Sequence, residues 1–149
     1  MRIYHRTSLN AAKSILARRR LYANARASGP INWGPFFFLY GEPENEIPTG
    51  AGFHEATLHF ECRLPVHYDR SAAIIDGPRQ FVERFLGHLI VEYNPCRSDQ
   101  FRQCRIIPPA PDSLRFVGYS GALLPWTRFT WNRWIREGRT VSVELHSSM

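Results

Sequence analysis

The stretch IYHRTSLNAAKSILARRR, residues 3–20, decides how the fold begins. Ile3-Tyr4-His5 is short and rich in large side chains, which is typical of a β-strand. A hydroxyl at Ser8 or Thr7 can accept an orphan backbone N–H, so a helix is predicted over residues 8–20. Its apolar side chains recur at helical spacing and form one face, which consists of Leu9, Ala12, Ile15 and Leu16.

Further along the chain, residues 36–40 are a continuous apolar run, typical of a strand that is buried on both faces. Residues 56–64 alternate apolar and polar side chains, which predicts a half-buried strand with His59 and Glu61 on its outer face. More strands are predicted at residues 72–75, 105–107, 114–119 and 140–145, and a turn at residues 108–111. Helices are predicted at residues 78–93 and 126–136.

Strands and helices are therefore interspersed without a regular βαβ alternation, which favours an α+β fold. At 149 residues the chain is predicted to be a single domain, residues 1–149. With 44% hydrophobic residues it can bury a core without disulfides or metal.

The cysteines and the hydropathy pattern bear on location. Cys62, Cys96 and Cys104 are odd in number and form no Cys-x-x-Cys pair, so we expect reduced thiols in a cytosol-like compartment. No apolar run approaches the ~20 residues of a membrane span, and the amino terminus lacks the apolar stretch of a signal peptide. We therefore predict a cytoplasmic protein without a membrane partner. A protein injected into a target cell would have the same features.

Charge is unevenly distributed along the chain, whose net charge is +6. Residues 1–41 carry seven basic side chains and no acidic one, whereas most side chains that are charged in residues 42–76 are acidic. A basic end favours a polyanionic or nucleotide partner, although a solvated basic surface explains the same pattern.

His5 and Thr7 are the first candidates for chemistry. Residues at i and i+2 of a strand point to the same face, so both side chains can bind one ligand. That face lies next to a helix start, where backbone N–H groups suit a phosphate. The alternative is a surface histidine beside a helix-capping threonine.

Tyr4-His5-Arg6-Thr7 and the helix after it resemble the start of ADP-ribosyltransferases of the His-Tyr-Glu class, especially the compact bacterial toxin-type members. That family has a Tyr-His-x-Thr strand, a helix with a Ser-Ile-Leu-like core, a second strand ending in an aromatic residue, and a late strand bearing an acid. Here Tyr40 ends the second strand and Glu144 lies on the last one. The resemblance implies split antiparallel sheets with flanking helices.

The resemblance also implies NAD as co-substrate, with roles for particular residues. His5 and Thr7 would bind the adenosine-side ribose, and Tyr40 would stack on the nicotinamide ring. Glu144 would stabilise the positive charge that develops as the glycosidic bond breaks. One of the arginines Arg6, Arg18 or Arg26 would meet the pyrophosphate, since a guanidinium fork suits two oxygens.

This sequence departs from the family pattern at two places. Gly41-Glu42 follows Tyr40, where the family often has a hydroxyl residue, so Tyr40 can equally be a core residue. Ser142 stands two residues before Glu144 in place of an acid or glutamine, so Glu144 can equally be an exposed residue of an edge strand. Glu137 is the second choice of acid.

Other patterns are less specific. The histidines at 54, 59 and 67 together with Cys62 do not have the spacing of a metal site, and no Walker or Rossmann glycine motif is present. Residues 126–136 interleave arginines with aromatics, which suits a grip on nucleic acid but also an amphipathic helix whose tryptophans fill the core.

The sequence thus predicts an NAD-dependent ADP-ribosyltransferase of toxin type, with a protein or nucleic-acid acceptor and an immunity or antitoxin protein as a further partner. Two alternatives stay open. One is a basic nucleic-acid-binding or nuclease-type module that does not use NAD. The other is a catalytically inactive domain of the same shape that binds a partner.

Overall fold

The structure, a computed structural model, describes residues 1–23, 37–39, 56–69, 83–93 and 101–145. Within these residues the chain has two helices, α1 (Leu9–Arg18) and α2 (Pro125–Arg136), and nine strands. The mixed content confirms the α+β class. The strands are β1 (Arg2–Thr7), β2 (Arg20–Ala23), β3 (Phe37–Leu39), β4 (Ala56–Cys62), β5 (Val66–Asp69), β6 (Leu89–Tyr93), β7 (Phe101–Ile106), β8 (Ala110–Gly121) and β9 (Thr140–Leu145).

These strands follow one hydrogen-bonded order, β2-β9-β8-β4-β1-β3-β7-β6-β5. The strand pairs are antiparallel except for β2–β9 and β5–β6, which are parallel. The described sheet is therefore a continuous mixed sheet, which differs from the expected pair of split antiparallel sheets. Helix α1 leads from β1 to β2, which lies at the edge of the described sheet beside β9 and runs parallel to it.

The two faces of the sheet differ, and we call the one that carries the core the helix-covered face. Ile3 of β1 and its partner Phe60 of β4 point to this face and are fully buried. Both helices contribute to the same core cluster, α1 through Ala12 and Leu16 and α2 through Trp131. Because side chains alternate along a strand, the neighbours of these buried residues lie on the opposite face.

Helix α1 has the predicted start but an earlier end. The hydroxyl of Ser8 accepts the backbone N–H of Ala11 at 3.2 Å, which confirms the serine cap. Arg19 adopts a left-handed conformation with φ of 58°, so the helix stops there. Arg20 consequently begins β2 instead of ending the helix.

Helix α2 confirms the prediction for residues 126–136. It begins with Pro125, whose missing N–H costs nothing in a first turn. Trp131 is its main buried side chain and packs edge-on against Phe116 and Tyr119 of β8. Such edge-to-face contacts add to the burial of a large apolar surface.

The helix predicted over residues 78–93 is wrong in its second half. Residues 78–82 lie outside the described residues, residues 83 and 84 are helical, and residues 85–87 form a turn in which Gly87 has a positive φ of 72°. Leu89–Tyr93 is strand β6, held between β5 and β7. Leu89 and Val91 are fully buried, so the apolar residues that mimic a helical face instead fill the core from a strand.

The structure agrees with several of the other predicted elements and differs from the rest. Strands are confirmed at β3, β4, β7, β8 and β9. Strand β5 is not among the predicted elements, and β8 already begins at Ala110, within the predicted turn. Residues 72–75 lie outside the described residues. No helix in the described ranges is long and apolar enough to cross a membrane.

Candidate functional site

His5 and Thr7 share the helix-covered face near the end of β1. The Cα partner of His5 is Leu58 and that of Thr7 is Ala56, both buried residues of β4. His5 and Thr7 themselves are half-buried. The structure thus places the two side chains where the sequence pattern predicts, at the margin of the core, on the same side of the sheet.

The amino terminus of α1 comes directly after Thr7 in the chain. Ser8 is its cap, and the first turn of the helix carries no acidic side chain. The helix dipole and the backbone N–H groups of a first turn make such an end attractive to anions. Two side chains that can donate hydrogen bonds, His5 and Thr7, therefore stand beside a partial positive charge.

The three arginines proposed for the pyrophosphate do not all share this position. Arg6 alternates with His5 and Thr7 and so points to the opposite face of the sheet. Arg18 is exposed in the last turn of α1, at the end remote from His5. Arg26 lies outside the described residues.

Glu144 lies in a different environment, on β9. Its Cα partner across the parallel pair is Tyr22 of β2, and its carboxylate is 3.7 Å from Arg20 Nε. Hydrogen bonding to Tyr22, followed by the charge of Glu144, raises the pKa of the Arg20 guanidinium. This cluster is half-exposed and lies on the face away from α1 and α2.

The strand registers separate Glu144 from His5. Val141 and Val143 of β9 are fully buried on the helix-covered face, so Glu144 points to the opposite one. Val141 of β9 pairs with Leu114 of β8, which also pairs with Cys62 of β4. Glu144 lies three residues beyond Val141 in one direction along the strands, and Leu58, the partner of His5, lies four residues from Cys62 in the other direction. With a rise of about 3.3 Å per residue, the two positions are about 23 Å apart along the strands.

The remaining candidates are Tyr40 and Glu137. Tyr40 lies outside the described residues. Glu137 caps the carboxyl end of α2 and is exposed, with Oε1 3.8 Å from Arg133 Nε. Among the described residues, no three or more His, Cys, Asp or Glu side chains form a group that could bind a metal ion.

A cluster that the sequence pattern did not single out lies on the opposite face. The rings of Tyr4 and His59 meet edge-on with centroids 4.7 Å apart. His59 Nε2 is also 3.4 Å from the hydroxyl of Ser120. His59 lies on the outer face that alternation predicts, but there it is half-buried instead of fully exposed. The sequence signal for this was weak, because it depends on Gly118 being the cross-strand neighbour of His59.

The fold and this geometry define an α+β protein with a mixed sheet, a half-buried His5–Thr7 pair at a helix start, and Glu144 at the far end of the sheet. No protein-family model, no curated protein and no solved structure matches this chain.

Proposed function

We propose that this chain is an NAD-dependent ADP-ribosyltransferase, which cleaves the nicotinamide–ribose bond of NAD and transfers ADP-ribose to a macromolecular acceptor. The observation that carries the proposal is the position of His5 and Thr7. They lie on one half-buried face of β1, directly before the capped amino terminus of α1. The resemblance of Tyr4-His5-Arg6-Thr7 to the His-Tyr-Glu class supplies the chemistry.

In this proposal the end of β1 and the start of α1 both bind NAD. The imidazole of His5 and the hydroxyl of Thr7 are hydrogen-bonding groups for the hydroxyls of a ribose. The amino terminus of α1 offers backbone N–H groups and a positive dipole end to the pyrophosphate. Tyr40 is proposed to stack on the nicotinamide, and one arginine to contact the pyrophosphate.

The reaction also needs a carboxylate. Departure of nicotinamide leaves an oxocarbenium-like ribose, and an anion aimed at that charge lowers the barrier. The resemblance assigns this role to Glu144, whereas the strand registers place Glu144 beside Arg20 and away from His5. The role of Glu144 is therefore the part of the proposal that an experiment must decide separately from NAD binding.

Nicotinamide release by the purified protein, with cell lysate as acceptor, tests the proposal. We expect release by the wild type and its loss in His5→Ala. His59→Ala is the matched control, because it removes an imidazole from the opposite face of the neighbouring strand. NAD binding measured by calorimetry separates a binding defect from a defect in bond cleavage.

Glu144→Gln is the second arm. Loss of release with NAD binding retained would assign the catalytic carboxylate to Glu144. Full release would remove Glu144 from the site and leave the proposed reaction intact.

Absence of both NAD binding and nicotinamide release in the wild type would overturn the proposal. NAD binding without release would favour the inactive partner-binding alternative. If the protein is an enzyme of toxin type, as the resemblance implies, a cytoplasmic site of action and an immunity protein are further parts of this proposal.

A further inference from the structure

The outer surface of α2 carries two large aromatic side chains that the core does not use. Trp126 is 65% exposed and Phe129 is 66% exposed. They are spaced i and i+3, so they are neighbours on the helix surface. Trp131 lies on the opposite side of the helix, where it is 2% exposed and packs on the sheet. The core therefore explains Trp131 and the partly buried Trp134, and it leaves Trp126 and Phe129 without a role in packing.

Two arginines continue the same surface. Arg133 and Arg136 are exposed and follow Phe129 at helical spacing, one turn further along. We call Trp126, Phe129, Arg133 and Arg136 the outer stripe. From Trp126 to Arg136 it extends about 15 Å along the helix axis. That length matches three to five phosphates at about 3.4 Å per nucleotide of a stacked strand.

The charge on the described residues of α2 around the outer stripe is mainly positive. The first turn of α2 has no acid, and its last turn carries Arg133 and Arg136. Arg128 is also exposed, on the neighbouring flank of the helix. The acid next to the stripe is Glu137, whose contact with Arg133 is 3.8 Å long and exposed on both sides, so it holds that guanidinium only weakly.

We infer that the outer stripe of α2 is a docking surface for a single-stranded nucleic acid. Exposed rings can stack on unpaired bases, and arginines can bind the phosphates between them. A duplex does not offer its base faces to such rings, so the arrangement favours an unpaired strand. This inference does not rest on the proposed NAD chemistry, because α2 packs on β8 through Trp131 and the outer stripe faces away from the sheet.

Fluorescence anisotropy with a dye-labelled twelve-nucleotide polythymidine strand tests the inference. The assay contains no NAD, so its outcome is independent of the proposed function. We expect the wild type to bind at 50 mM salt and to weaken as salt rises. Trp126→Ala/Phe129→Ala should reduce the affinity by about 30-fold or more, since each stacked base contributes at least about fivefold.

Arg133→Ala/Arg136→Ala should instead change the salt dependence. Each phosphate contact to a single strand contributes about 0.7 to the slope of log affinity against log salt, so the slope should fall by about 1.4. Lys13→Ala/Arg63→Ala is the matched control, because it removes two exposed positive charges away from α2. Tyr68→Ala removes an exposed ring from β5 and is the control for the aromatic pair. Both controls should bind as the wild type does.

Three outcomes would overturn the inference. One is no binding at 50 mM salt. Another is an equal loss in the stripe variants and their controls, which would mean that only the net charge matters. The third is a preference for a duplex of the same length, for vesicles with anionic lipids, or for polyglutamate over the single strand. Thermal unfolding of each variant establishes that a loss of binding is not a loss of fold.

Discussion

His59 of β4 and Gly118 of β8 are cross-strand neighbours, and the imidazole occupies the space that a side chain at position 118 would need. A Cβ built on Gly118 would lie 3.0 Å from His59 Nδ1. The absence of a side chain at Gly118 thus lets the histidine lie flat enough on the sheet to contact both Tyr4 and Ser120.

This relationship predicts a coupling between the two positions. Gly118→Ala should lower the free energy of unfolding by about 1–3 kcal/mol, since an added methyl group must displace the ring or the strand. In a His59→Ala background the same substitution should cost much less, because the obstacle is gone. Urea denaturation of the four proteins measures the coupling energy. An equal cost in both backgrounds would contradict this account.

The tryptophans of α2 should differ sharply in their effect on stability. Trp131→Ala leaves a cavity against Phe116 and Tyr119, and we expect a loss of about 3–5 kcal/mol in the free energy of unfolding. Trp126→Ala removes an exposed ring and should change it by no more than about 0.5 kcal/mol. Denaturant midpoints measured for both variants test this. Comparable losses would mean that Trp126 is packed as tightly as Trp131.

Arg139 should connect α1 and α2 through its side chain. Its Nη1 donates to the carbonyl of Leu16 at 3.1 Å, and its guanidinium lies 4.2 Å from the ring centroid of Trp134. Burial is the main reason that its pKa is lowered from the ordinary value. Arg139→Ala should reduce the free energy of unfolding by about 1–2 kcal/mol.

Arg128→Ala is the control for this substitution, because Arg128 is an exposed arginine of α2. Arg128→Ala should leave the free energy of unfolding nearly unchanged, and thermal and denaturant unfolding of both variants measure this. If Arg139→Ala is equally neutral, the contacts to Leu16 and Trp134 do not stabilise the fold.

The Cys62 thiol should make stability sensitive to alkaline pH. Burial raises the pKa of this thiol above its ordinary value, so the folded state keeps the proton longer than the unfolded state does. The contribution of this thiol to the free energy of unfolding is complete below the ordinary thiol pKa of about 8.5. It is lost as the pH rises through the raised pKa of the folded state.

Cys62→Ala should therefore show a smaller fall in the free energy of unfolding between pH 7.5 and 9.5 than the wild type, whatever its stability at neutral pH. Urea denaturation across this range is the measurement, and the interval from pH 6.5 to 7.5 is the internal control, in which both proteins should behave alike. Parallel curves up to pH 9.5 would exclude a raised thiol pKa.

Local signals allowed much of the fold to be predicted from the sequence. The serine cap of α1, the alternation in β4 and the amphipathic pattern of α2 depend on neighbours within a few residues, so they can be recognised without the tertiary structure. Residues 89–93 could not be assigned in this way. Their apolar spacing fits a helix, and pairing with β5 and β7 on both sides makes them a strand.

The candidate site likewise has features that the sequence predicts and features that only the tertiary structure shows. That His5 and Thr7 share a face follows from the two-residue period of a strand, and the structure agrees. The same period makes Arg6 point to the opposite face of the sheet. The chemistry of the motif suggests instead that Arg6 binds the same ligand as His5 and Thr7. The contact between His59 and Ser120 depends on a bulge between His59 and Phe60, which no local pattern reveals.

What the sequence by itself determined is therefore the α+β class, the elements with strong local periodicity, and the placing of His5 and Thr7 before a helix start. Only the tertiary structure decided the order of the strands, the strand identity of residues 89–93, and the separation of Glu144 from His5. The physical reason is that periodicity and capping act between residues close in the chain. Strand order and register instead come from pairings such as Tyr22 with Glu144, which join distant segments.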